Sequence, residues 1–234
     1  MRDVMIDLET LGTKPGSVFF AIGAVAFDRD SGRVFSDSGG FYRLISIADA
    51  LRWGLTRDAG TIAWWSRQSP EAQAEFWRAM GGGADLSDAI NDLATWLAGV
   101  ARRAECSVKS LRVWGNGATF DNTLVATGCQ QAQLHMPWDT FSDRCFRTLK
   151  TDNPGHEPVR EGVHHHALHD AVHQAHWACA IYKAQRDRVD NLLVALGDLR
   201  CAVRDQPMSA RAREGLAPAM ETAWKAGEAE VSLR

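Results

Sequence analysis

The unbroken apolar run VFFAIGAVAF, Val18–Phe27, constrains the fold more than any other stretch. It lacks the alternation of a half-wet strand, so it fits a strand covered on both faces. Just before it, VMIDLETLGT reads as a short strand, Val4–Leu8, with Asp7 inside it and Glu9 directly after it, and a buried carboxylate there is costly without a cation or proton. In an extended strand, residues two apart share a face, so both acids converge on one small volume. Taken alone, a DxE pair on a half-wet strand face is more often structural than functional.

GTKPGS supplies the turn between these strands, and a third strand over Arg33–Leu44, broken at Gly39–Gly40, completes an antiparallel meander. From Thr61 the pattern becomes helical. Ser69-Pro70-Glu71 reads as a helix start, and Gly81-Gly82-Gly83 ends that helix. A further helix spans Leu86–Arg102, with Leu86, Ile90, Leu93, Leu97 and Val100 at helical spacing. Leu111–Trp114 is a fourth strand, followed by a Gly–Asn–Gly turn and a helix over Thr119–Thr127. The last core helix is expected over Ala167–Arg186. The alanine-rich tail after Gln206 reads as a loosely packed helix or a partly disordered end.

The totals exclude several classes. A net charge of −3 argues against a basic clamp on long duplex nucleic acid, while leaving room for an acidic, metal-filled site. Five cysteines, an odd number without a CxxC pair, give neither a disulfide framework nor a thiolate zinc site. With no signal-type start and no stretch of ~18 apolar residues, the expectation is a soluble, cytoplasmic protein without a membrane segment.

Two later elements carry chemistry. In WGNGATFDN, Trp114–Asn122, a strand passes through a glycine turn into a helix with Asp121 in its first turn. Asp is also favoured there by the helix dipole alone. In HHHALHDA, His164–Ala171, His165 and Asp170 would lie about 140° apart on a continuous helix. They approach one site only if His165 precedes the helix and Asp170 lies in its first turn. Spacing alone leaves His164, His165 and His166 as alternatives for one role, and structural zinc has no matching Cys or His pair.

DxE, NxxxFD and HxxxxD, in this order, resemble the DEDDh branch of the DnaQ-like 3′–5′ exonucleases. The finer pattern DLETLGT, AIGAVAFD, AWW, WGNGATFDN, DRCFRTLK and HHALHDA is similar to the small bacterial and phage exoribonucleases resembling RNase AS. The resemblance spans Val4 to Lys183. It implies an α/β, ribonuclease H-like fold: a central mixed five-stranded sheet, antiparallel in strands 1–3 and then parallel, flanked by helices. Residues 1–190 would form the catalytic domain, and 191–234 a helical or partly disordered extension of it.

By matching motif, Asp7, Glu9, Asp121 and Asp170 would bind two Mg²⁺ or Mn²⁺ ions, with His165 as general base. Thr10, Leu11, Asn116, Phe120, Trp65 and Arg147 would meet the substrate. Leu11 would wedge between bases or simply pack the strand end, and Phe120 would stack on a base or plug the core. The implied partner is a single-stranded 3′ end, RNA slightly ahead of DNA, and the implied assembly is a homodimer. Two other readings compete: a non-catalytic nucleic-acid binder on the same fold, and a phosphodiesterase acting on short oligonucleotides. His169 departs from the pattern, because relatives often carry an acid before the last aspartate.

Overall fold

The sheet is built outward from two strands, β1 (Asp3–Thr10) and β2 (Phe19–Asp28), which pair antiparallel with Asp7 opposite Gly23 and Glu9 opposite Ala21. This computed structural model describes residues 1–36 and 39–205, with Pro218 and Thr222 beyond them. Most of the tail after Gln206 therefore lies outside the described residues. The far edge of β2 carries β3 (Arg33–Val34) and β4 (Phe41–Leu44), both antiparallel to it. On the other side of β1 come β5 (Arg112–Gly115) and β6 (Asp143–Cys145), each parallel to its neighbour.

Among the described residues the sheet thus has six strands, not five. Its width is still five positions, because the expected third strand is realised as β3 and β4 end to end along β2. β3 ends at Val34 and β4 begins at Phe41, directly after Gly39 and Gly40.

The helices are α1 (Ile47–Arg52), α2 (Ala59–Trp65), α3 (Pro70–Gly81), α4 (Leu86–Arg103), α5 (Asp121–Gln131), α6 (Phe146–Asp152) and α7 (Ala167–Asp205). Their starts follow side-chain chemistry. Ser69 accepts from the Ala72 N–H with Pro70 in the first position, and Asp58 accepts from the Thr61 N–H. Asp49, itself capped by Ser46, reaches across to accept the Leu86 N–H at 2.7 Å and so ties α1 to the start of α4. The chain divides into two units, Met1–Lys183 and Ala184–Arg234, the first of which holds the whole sheet.

Strand β1 separates two cores. Val4, Ile6 and Leu8 face the larger one with Phe20, Ile22, Leu93 and Leu97. Met5 faces a smaller one with Val25, Phe27, Trp114, Ala171 and Ala175. By the same alternation Asp3, Asp7 and Glu9 share the face of Met5, the side covered by α7. No helix among the described residues is long and apolar enough to cross a membrane.

Candidate active site

Two close approaches set the site. At Gly23, opposite Asp7, a Cβ would lie 2.1 Å from the main chain of Ala167, so the start of α7 presses directly on β2. That contact puts Asp170, in the first turn of α7, beside Asp7 and Glu9. Gln174, one turn further on, donates to Asp7 Oδ1 at 2.7 Å. At Gly115, the end of β5, a Cβ would meet Asn122 Oδ1 at 2.4 Å and Asp121 Cβ at 3.0 Å. Only a residue without a side chain lets α5 bring Asp121 down onto the sheet there.

Ligand oxygens of Asp7, Glu9 and Asp170 lie within 4.8 Å of one another. Asp121 stands behind them, close enough to push on Asp7 and Glu9. Burial, then repulsion from Asp121 and Asp170, raises the Asp7 carboxyl well above its ordinary value. Burial and the charges of Asp7, Asp170 and Asp121 do the same to Glu9. Burial lifts Asp121 to about 7, against the pull of the Asn116 and Leu8 backbone N–H groups. Glu9 Oε1 and Asp121 Oδ2 are buried and accept no hydrogen bond.

The histidines separate by geometry. His165 is half-buried at φ 61°, a strained backbone for a non-glycine residue, which lets its N–H donate to Asp170 Oδ2 at 3.1 Å. Its ring meets Trp64 edge-on at 4.8 Å and stacks on His164 at 3.9 Å. Burial lowers its pKa further below neutrality. His164 is exposed and lines the same cavity. His166 is turned away, stacked between Tyr42 and His169, and burial brings its pKa to about 4.

A cavity of about 440 Å³ gathers Asp7, Glu9, Asp170, His164, His165 and Asn116 with Lys150, Arg160, His173 and Gln174. Of the other residues that the sequence placed at the substrate, Thr10 is buried, and its carbonyl accepts the Trp65 indole N–H at 2.9 Å. Trp65 is itself core, 1 % exposed, so it supports Thr10 from behind and walls a second, apolar cavity with Leu11, Ile62, Phe76 and Trp77. Leu11 is equally buried, its N–H on the Val18 carbonyl. Phe120 is half-buried against the larger core. Arg147 is exposed and donates to the Asn116 carbonyl at 2.6 Å.

Sequence reasoning missed Arg160, which pairs with Asp170 Oδ1, and Gln174. It also missed Glu75, a buried acid that accepts the Tyr42 hydroxyl and whose charge reaches Glu9. Gln174 alone carried a readable signal, since it follows Asp170 by one helical turn.

The family model of the 3′-5′ exoribonuclease Rv2179c-like domain matches residues 2–182. The chain belongs to this family. No curated protein sequence matches it. Among solved structures, this exoribonuclease-family chain is similar to the nuclease domain of 3′hExo, a DEDDh family member bound to rAMP. The identity is 13 %, the TM-score 0.52, and the match covers 78 % of this chain and 92 % of that one. The chain is thus a 3′–5′ exonuclease by family, and its fold is the ribonuclease H-like one of that DEDDh nuclease domain.

DEDDh nucleases depend on divalent metal, and the donors here fit such ions. All are hard oxygens, two of them are bare and buried, and mutual repulsion among the carboxylates is what a cation relieves.

Proposed function

We propose that this exonuclease removes 5′-nucleotides from single-stranded 3′ ends or overhangs, RNA ahead of DNA, with two Mg²⁺ or Mn²⁺ ions and His165 as general base. The convergence of Asp7, Glu9 and Asp170 beside bare carboxylate oxygens carries this reading. Asp7, Glu9, Asp121 and Asp170 would hold the cations. When bound, two such ions activate a water and stabilise the leaving 3′ oxygen of an in-line displacement. His165 takes the proton of that water, because burial keeps its imidazole neutral, the form that accepts.

The backbone of Thr10 and Leu11, braced by Trp65, would seat the terminal sugar. Asn116 and Phe120 would flank it, and Arg147 would meet a phosphate. The preference for RNA draws on the family's description and on the rAMP bound by 3′hExo. The net charge of −3 supports short strand ends over long duplexes. All five cysteines are free, which supports a reducing, cytoplasmic setting. A homodimer belongs to the same proposal: Leu192, Leu196 and Leu199, exposed at heptad-like spacing, form a stripe that a second copy would cover.

The test is digestion of matched 3′-labelled RNA and DNA overhangs with Mg²⁺ or Mn²⁺. RNA should shorten one nucleotide at a time and faster than DNA, with no product in EDTA or from Asp121→Ala. Equal rates would remove the RNA preference. Binding without product under every divalent cation would turn the reading into a nucleic-acid binder.

A further inference from the structure

Asp170 differs from the other three acids in that both its oxygens are engaged. Oδ1 accepts from the Arg160 guanidinium, and Oδ2 accepts the His165 N–H at 3.1 Å. Glu9 Oε1 and Asp121 Oδ2 accept nothing, and Asp7 receives one neutral amide. Arg160 is the charged group that holds one acid of the cluster, and it comes from the irregular segment between α6 and α7. Its side chain is 32 % exposed against 9 % for Asp170, and it lines the same cavity as Lys150, Asn116, His164 and His165. A guanidinium on an irregular segment, partly in solvent, can swing without disturbing helix or sheet.

Charge counting says where it would go. Four carboxylates and two divalent cations sum to zero, so a loaded site has no charge left over for a phosphodiester. Arg160 adds one positive charge to that balance, and once freed from Asp170 its guanidinium can offer that charge in the forked geometry that phosphate accepts.

We infer that Arg160 has two stations: it competes with a divalent cation for Asp170 and, once displaced, binds a phosphate of the substrate strand. This rests on the reading of the four acids as cation ligands. Lysine would fill neither station well, since a point charge lacks the fork.

Mn²⁺ titrated calorimetrically into EDTA-stripped wild type and Arg160→Ala, without nucleic acid, tests the first station. The variant should bind Mn²⁺ roughly tenfold tighter, because a charged hydrogen bond no longer has to be broken. Steady-state kinetics on single-stranded RNA test the second: KM should rise roughly tenfold in Arg160→Ala, with kcat changing much less. Arg160→Lys should fall between the two proteins in both measurements. A merely structural Arg160 would loosen the segment and weaken Mn²⁺ binding, the opposite direction. Unchanged or weaker Mn²⁺ binding by a variant whose circular dichroism matches wild type overturns the proposal, as does an unchanged KM. Wild type that takes up no Mn²⁺ overturns the ligand reading beneath it instead.

Discussion

Asp3 and Asp7 lie on the same face of β1, both buried, yet in opposite electrostatic company. Asp3 accepts two hydrogen bonds from Arg112, at 2.7 and 2.6 Å, and one from the Trp114 indole at 2.8 Å. Asp7 accepts one amide, from Gln174, and faces three more carboxylates, Glu9, Asp121 and Asp170. A buried acid is therefore no sign of function by itself. What marks Asp7 is that, among the described residues, its hydrogen-bond partner is a neutral amide and carboxylates crowd it, while Asp3 is forked by a guanidinium.

Exchanging each acid for its amide breaks the comparison most sharply. Asp7→Asn should cut kcat/KM by on the order of a thousandfold or more, because a cation ligand is lost from the reacting centre. Its melting temperature in EDTA should hold or rise, since a repelled buried charge has gone. A lower melting temperature would show that Asp7 is as structural as Asp3. Asp3→Asn should do the reverse, costing about 3 kcal/mol of stability because Arg112 keeps a half-buried, unpaired charge. Activity per folded molecule should stay close to wild type. Denaturant unfolding and single-turnover assays on both variants separate the two cases.

Gly23→Ala sharpens the comparison at the next level down, because Asp3 does not depend on the start of α7 and Asp7 does. The added methyl would displace Ala167 and with it Asp170. About 1–3 kcal/mol of stability should be lost by overpacking, with cation affinity falling alongside. Unaltered Mn²⁺ affinity in a destabilised Gly23→Ala would detach the helix contact from the site.

The smallest expected effect is on pH. Asp7, Glu9 and Asp121 have folded-state pKa values above their ordinary 3.8 and 4.5, so the folded chain binds those protons more tightly. The metal-free protein should therefore lose stability as pH rises through the folded values, with Asp121 at about 7 setting the window. A melting temperature a few degrees higher at pH 6.5 than at pH 8, in EDTA, is the expected result. Below 6.5 the half-buried His165 and His166, His166 above all, act in the other direction, since their lowered pKa values make protonation favour the unfolded chain.

Much of this was legible in the residues because it rests on short-range rules. Strand alternation places Asp7 with Glu9, helical spacing outlines α4, and the order of motifs joins Asp121 and Asp170 to them. What escaped has long-range causes or weak patterns. Strand β6 is three half-exposed residues with no alternation to read, and its pairing partner lies far back in the chain. Helix α7 continues to Asp205, where the spacing suggested Arg186. Trp65 offered a stacking surface on paper, but which of two adjacent tryptophans turns inward depends on Phe20 and Phe76, contacts that only the fold creates. Arg160 sits in an irregular stretch, where no periodicity says which way a side chain faces.

The backbone of His165 carries a consequence for chemical complementation. Its φ of 61° is one that glycine adopts freely, so His165→Gly keeps the turn, and the N–H on Asp170, while removing the ring. The space vacated is bounded by the Trp64 and Trp65 edges and the face of His164. Free imidazole added to His165→Gly should enter that space and restore turnover in a saturable way. His165→Ala, strained at the same φ, should respond less.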